Sequence, residues 1–397
     1  MRVALVYDRV NKFGGAERVL LALHKIWPQA PLFTAVYDPQ GAPWAKDFRV
    51  YPSFVQKIPF AKSRHELYPW LMPFAFESFD FSAFDVVISI TSAEAKGLIT
   101  QPKVLHLCYC LTPTRYLWSS FKHYVKNPRY GILNPLAKIM MKSMLERLRQ
   151  WDKVACQRPD YYFSISQTVK KRIKKYYGRD SEIIYPPVDT DKFRLKKEKL
   201  PARILPVAGS DAAGKITAQN LKVNKEKEYF LVVSRLVSYK RVNIIIDSFN
   251  KLGWSLKIIG DGSEKHILQK KAKPNIEFLG QELTDNKLLS YYQGCLALVF
   301  AGEEDFGLVS LEAQACGKPV IAFKQGGVGE TVINGKTGIL FSSQTSRALI
   351  KALKGFRAEK FRAEDCRQNA KKFNEKIFLI KFKKLVEDKW EKHKKLT

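Results

Sequence analysis

Phe300-Ala301-Gly302-Glu303-Glu304-Asp305-Phe306-Gly307-Leu308-Val309-Ser310-Leu311-Glu312-Ala313 decides the fold. The apolar run Leu296–Phe300 ends in an acidic loop, and a helical pattern then opens at Leu308 and continues to Cys316. A short buried strand, a glycine-bearing loop and a helix make one half of a βαβ unit. The first amides of a helix have no acceptor within it, so the N–H groups of residues 306 to 308 are a ready phosphate site. Gly307 allows close approach of the chain to whatever binds there.

A phosphate beside three acids needs cations, and Val233-Ser234-Arg235-Leu236-Val237-Ser238-Tyr239-Lys240-Arg241 supplies them. Arg235 follows a strand and Lys240 opens the next helix, so both fall at the carboxyl edge of the sheet. Arg offers a planar fork and Lys a point charge, which together neutralise a diphosphate and the charge left on a departing one. Glu304 at the mouth of the loop then suits the hydroxyls of a sugar, and Glu312, one to two turns into the helix, those of a ribose.

Outward from these segments the alternation of strands and helices continues in both directions. Tyr229–Val233, Ser255–Ile259, Asn275–Phe278, Leu296–Phe300 and Pro319–Phe323 read as strands, with helices over Val242–Leu252, Asp285–Gln293 and Leu308–Cys316. In the first half, Arg2–Tyr7, Asp85–Ile90 and Val104–Cys110 are strands, Gly14-Gly15 is a loop and Ala16–Ile26 a helix. Residues 138–179 read as largely helical, with twelve Lys/Arg against three acids. The chain divides into an acceptor-side Rossmann-like domain over 1–187, a linker over 188–228 with a surface excursion at Ala208–Gln219, and a nucleotide-binding Rossmann-like domain over 229–365. A tail over 366–397 follows, with Phe373, Ile377, Ile380 and Leu385 at helical spacing, as in an amphipathic helix lying on a neighbouring surface. The fold class is α/β, and two such units place a ligand in the cleft between them.

The net charge of +30 over 397 residues calls for a polyanionic neighbour: nucleic acid, acidic lipid or a phosphorylated substrate. No apolar run reaches the roughly 18 residues that span a bilayer, and the first one breaks at Asp8, too short for a signal peptide. A cytoplasmic chain is expected. Cys108 and Cys110 share one face of a strand without a second pair to complete a metal site, so both read as buried structural thiols.

Taken jointly, these motifs resemble glycosyltransferase family 4, the group 1 retaining enzymes of GT-B fold. The resemblance rests on Arg235 and Lys240, Gly260-Asp261-Gly262, Glu304-x7-Glu312 with Phe306-Gly307-Leu308, Cys316-Gly317-Lys318-Pro319-Val320 and Gly326-Gly327-Val328-Gly329-Glu330. Gly14-Gly15-Ala16-Glu17-Arg18 and Tyr185-Pro186-Pro187-Val188-Asp189 extend it to the first half. It implies that Arg235 and Lys240 hold a donor diphosphate without a metal ion or other cofactor. Glu312 would hold the ribose, and Glu304 with the Phe306, Gly307 and Leu308 amides the transferred sugar. Gly14, Gly15 and Gly260 would line the site. Cys108–Trp118 is similar to the bacterial O-antigen mannosyltransferase subgroup, which implies GDP-mannose and a lipid-linked or other glycan acceptor. Leu111 stands where many relatives carry histidine, which argues against an essential side-chain base there. His106 reads as a histidine of the strand core.

An anionic membrane surface is the expected polyanion, met by the basic stretch 138–179, with Met140, Met141, Met144 and Leu145 entering the interface. A nucleic-acid-binding protein would explain the charge but not the acids of the cleft, so no nucleic-acid partner is expected. A dehydrogenase would require Gly-x-Gly-x-x-Gly after the first strand, which this chain lacks.

Overall fold

The computed structural model describes residues 1–119, 121, 135–196, 228–281 and 284–396. They build two sheets. The first holds β1 (Val3–Tyr7), β2 (Leu32–Thr34), β3 (Val50–Pro52), β4 (Val86–Thr91), β5 (Leu105–Cys110), β6 (Tyr161–Ser164) and β7 (Glu182–Ile183), in the order β3-β2-β1-β4-β5-β6-β7. The second holds β8 (Phe230–Val233), β9 (Leu256–Ile259), β10 (Ile276–Gly280), β11 (Leu298–Phe300), β12 (Val320–Phe323) and β13 (Gly338–Phe341), in the order β10-β9-β8-β11-β12-β13. The ladders are parallel, as in Val3↔Val86 and Leu298↔Val320. β1, β4 and β5 are buried at every residue, the burial that helices on both faces of a parallel sheet impose.

This strand order matters for function. In each sheet the winding reverses between the first strand and its inner neighbour, β1/β4 and β8/β11. The helices on either side of a reversal leave a crevice beyond the carboxyl ends of those two strands. Here the two crevices open onto one cleft.

Three differences from the sequence reading have clear causes. β2 and β3 are three residues each, too short to show a period, and exist because β1 offers β2, and β2 in turn offers β3, a parallel partner. The stretch 138–179 is not helical throughout: β6 interrupts it between the helices Pro135–Ala155 and Gln167–Tyr177. Tyr161-Tyr162-Phe163-Ser164 is aromatic and pairs with β5, so sheet contact overrides the helical surroundings. Leu145, expected at a lipid interface, instead packs inward with Leu117 and Leu148.

The tail forms two helices, Ala363–Lys371 and Glu375–Lys394, broken at Asn374, whose side chain caps the second. The second helix crosses back to the first sheet. Its buried face is Phe378, Phe382 and Val386, while Ile377 and Ile380, expected to pack, are exposed. Phe382 meets Tyr109 at 5.5 Å and Phe163 at 5.9 Å between ring centroids. A buried Phe contributes about 1.5–3 kcal/mol, so this face holds the tail on the N-terminal unit. The excursion expected at Ala208–Gln219 lies outside the described residues.

All six cysteines are buried and free. His106 is fully buried on β5 beside Ser89 Oγ at 2.9 Å, and burial pushes its imidazole down to about 3.

Candidate active site

The cleft encloses about 700 Å³, and all ten residues singled out in the sequence line it: Gly14, Gly15, Arg235, Lys240, Gly260, Glu304, Phe306, Gly307, Leu308 and Glu312. Gly14 and Gly15 come from the turn after β1, Arg235 and Lys240 from the turn after β8, Gly260 from the end of β9, and the remaining five from the turn after β11 and its helix.

Lys240 ends a single 3₁₀ turn, Ser238–Lys240, and is buried. Its Nζ donates to Glu304 Oε1. The backbone brings the two together: a Cβ at Gly302 would stand 3.0 Å from the Lys240 Cα, so the small residue lets the acidic loop lie on the Lys240 turn. On the loop's other side, Gly327 N donates to Glu304 O at 2.7 Å, and a Cβ there would fall 2.3 Å from Asp305 O. The motif Gly326–Glu330 thus fixes the acidic loop from behind.

Burial, then Arg235 and Arg115, push Lys240 down to about 7, with Asp305 acting in the opposite sense. The bond to Glu304 persists in either state, because amine and ammonium both donate. Arg235 is exposed to the cleft and donates to Tyr239 Oη. Tyr239 stands among three cations, with Arg115 at 5.1 Å, Lys240 at 5.4 Å and Arg235 at 5.9 Å from its ring.

Gly307 has φ +92, a left-handed conformation that turns the chain into the helix Leu308–Ala315. The amides opening that helix have no acceptor within it and face the cleft. The Phe306 side chain stacks on Tyr185 at 5.5 Å, so only its backbone is free for a ligand. Glu312 is buried; its Oε1 accepts from Arg18 and its Oε2 from Tyr292 Oη at 2.6 Å. A hydroxyl reaching Glu312 would therefore share its oxygens with Arg18 and Tyr292.

Further residues line the cleft, Thr112 and Arg115 among them from the stretch Cys108–Trp118. Arg9, Ser92 and Thr112 follow β1, β4 and β5, where the carboxyl-end rule alone would have placed them. Arg9 pairs with the buried Glu94 at 2.6 Å, and Glu94 also accepts from Tyr116 Oη. Arg115 and Arg172 both donate to Asp305 across the cleft, and Glu330 accepts from the amides of Gln167 at 2.8 Å and Thr168 at 3.1 Å. No local pattern signals such pairs. Trp118 does not line the cleft; it donates to Asp152 and stacks on Tyr176. Among the described residues, no three His, Cys, Asp or Glu side chains gather where they could hold a metal ion.

Residues 215–373 match the family described as glycosyl transferases group 1. An uncharacterized glycosyltransferase of Methanocaldococcus jannaschii is 31% identical over 167 residues, 40% of this chain and 47% of that relative. An alpha-1,3/1,6-mannosyltransferase of Dictyostelium discoideum is 25% identical over 205 residues, 45% of this chain and 47% of that one. The chain thus spans less than half the length of these curated relatives. The Anabaena protein HepE, solved in complex with UDP and glucose, superposes with a TM-score of 0.67 at 19% identity, covering 98% of this chain and 99% of that one. The fold is GT-B, as the motifs led us to expect.

Proposed function

We propose that this chain is a retaining group 1 glycosyltransferase that moves a hexose from a nucleoside diphosphate donor onto a glycan acceptor. The observation that carries the reading is the Lys240–Glu304 pair beside Arg235, at the start of the helix Leu308–Ala315. A diphosphate entering there offers Lys240 and Arg235 a partner of higher charge than one carboxylate. Glu304 is then released toward the hydroxyls of the sugar.

In the reaction, the bond from the anomeric carbon to the diphosphate oxygen breaks, and its electron pair leaves with the nucleoside diphosphate. Arg235, Lys240 and the helix amides stabilise the charge that develops, where such stabilisation lowers the barrier. The acceptor oxygen forms the new bond from the same face, and its proton passes to the departing phosphate oxygen. Leu111, which lines the cleft, offers no base, in keeping with that route. Neutralisation is assigned to the two cations rather than to a metal ion.

GDP-mannose is the preferred donor, on the likeness of Cys108–Trp118 to mannosyltransferases. A UDP-sugar is the second reading, supported by the fold likeness to HepE with its UDP and glucose. The acceptor is a lipid-linked saccharide, and the enzyme works at the cytoplasmic face of an anionic membrane, which accounts for the +30 charge that a soluble donor leaves unexplained. Incubation with GDP-mannose or UDP-glucose and a lipid-linked saccharide acceptor, followed by NMR, tests the reading. Release of GDP with an α-configured product supports it; a β-configured product overturns retention, and inertness toward all nucleotide sugars overturns the activity.

A further inference from the structure

Away from the cleft, a groove of about 720 Å³ runs between the helix Met72–Glu77 and the basic helix Pro135–Ala155. Trp70, Phe74, Met140, Met144, Leu148 and Trp151 line it. Phe74 is 58% exposed and Met140 65%, and just upstream Phe60 is 72% exposed. Contiguous apolar surface of this kind on a soluble unit marks a place where something docks.

The surrounding charge identifies the occupant. Residues 54–66 contain Lys57, Lys62 and Arg64 against one acid, Glu66, and these three cations are exposed. Arg147 and Lys142 stand exposed on the helix Pro135–Ala155, Lys142 sharing its charge with the exposed Glu146 at 3.9 Å. Glu77 is the one acid among the lining residues, and it is neutralised by Arg158 at 2.7 Å and accepts from Trp151 at 2.8 Å. An apolar floor with a cationic rim matches the boundary of an anionic bilayer, where aromatic and Met side chains pass the headgroups and Lys/Arg meet phosphates. A nucleic-acid backbone would satisfy the rim but leave the floor exposed.

We propose that this face docks on an anionic phospholipid bilayer, with Phe60, Trp70, Phe74 and Met140 entering the interface. The helix behind the groove is pinned to the cleft: Asp152 is fully buried and accepts from Lys96, Thr114 and Trp118, beside the cleft residues Thr112 and Arg115. The helix that would meet the membrane is therefore the one that Asp152 ties to the acceptor side of the cleft. The inference deepens the reading of a lipid-linked acceptor, yet it is tested without any sugar substrate, so either can fail alone.

The test is flotation of the full chain with vesicles of phosphatidylcholine alone or mixed with phosphatidylglycerol. Binding is expected only with phosphatidylglycerol, and Phe74→Glu with Met140→Glu should weaken it at least about tenfold. Ile267→Glu, at an exposed isoleucine of the second unit, makes the same change of charge and should leave binding nearly intact. Far-UV circular dichroism and the thermal shift caused by GDP confirm that the variants are folded. Brominated lipid should quench the wild type more than Trp70→Phe. Equal binding to both vesicles, an Ile267→Glu effect as large as that of the groove variants, or retention on duplex DNA without vesicle binding would overturn the proposal.

Discussion

Lys240 and Glu304, 64 residues apart in the chain, meet in a hydrogen bond at the carboxyl edge of the second sheet, and both line the cleft. On the proposed reading, a donor diphosphate separates them. That arrangement gives a buried cation an acid as its partner, and on the proposed reading it makes donor binding an exchange of partners.

Proton uptake on binding is the first consequence. The folded Lys240 lies at about 7, against its ordinary value of 10.5. A bound diphosphate favours the ammonium, so between pH 7 and 10.5 binding of GDP should draw up to one proton from solution. Calorimetry in buffers of different ionisation heat measures it, and Lys240→Met should remove most of the uptake. The same shift affects stability. Below pH 7 both folded and unfolded chains carry the proton, and above 10.5 neither does. Between those values the unfolded chain binds more protons, so the contribution of Lys240 to stability rises with pH. Lys240→Met should flatten that rise in denaturant titrations.

The two acids should separate in kinetics. Glu304→Gln is expected to lower kcat more than nucleotide affinity, because its partner in the complex is the sugar. Glu312→Gln should chiefly weaken nucleotide binding. It also weakens the acceptor of Arg18 and Tyr292, so a stability loss of about 1–3 kcal/mol should accompany it. Steady-state kinetics with binding titrations decide; the reverse pattern would exchange the two roles.

A third prediction concerns the buried pair Lys96–Asp152, in which both side chains are almost wholly shielded from solvent. Lys96→Met should destabilise the chain by about 3–5 kcal/mol, because Asp152 is left charged without its cation. The double variant Lys96→Met with Asp152→Leu should recover part of that loss in urea unfolding. A single variant as stable as the wild type would show that the pair does not anchor the helix Pro135–Ala155.

Much of the second unit was legible because its strands are short apolar runs set between helical patterns, and its site residues cluster in the turns after β8, β9 and β11 and in the helix that follows β11. The same held for β1, β4 and β5. What stayed hidden depends on contacts distant in sequence. β2 and β3 have three residues and no period of their own, and β6 is set by its partner β5. The face of the last helix was read through Ile377 and Ile380, whereas Phe378 and Phe382, one and two positions on, turn inward because Tyr109 and Phe163 await them. Within the site, the cross-cleft pairs of Arg115 and Arg172 with Asp305 join elements more than 130 residues apart, beyond the reach of any motif.

The most direct measurement is titration calorimetry of GDP and UDP against the wild type, Arg235→Ala and Lys240→Ala, alongside thermal unfolding. A nucleoside diphosphate at 100 times its Kd should stabilise the wild type by about 2.7 kcal/mol. GDP should bind more tightly than UDP, and both variants should lose most of the affinity while still unfolding in a single cooperative transition without ligand. Tighter binding of UDP would replace the donor and keep the site. Unchanged affinity in both variants, or no binding of either nucleotide, would contradict the assignment of Arg235 and Lys240 to a donor diphosphate.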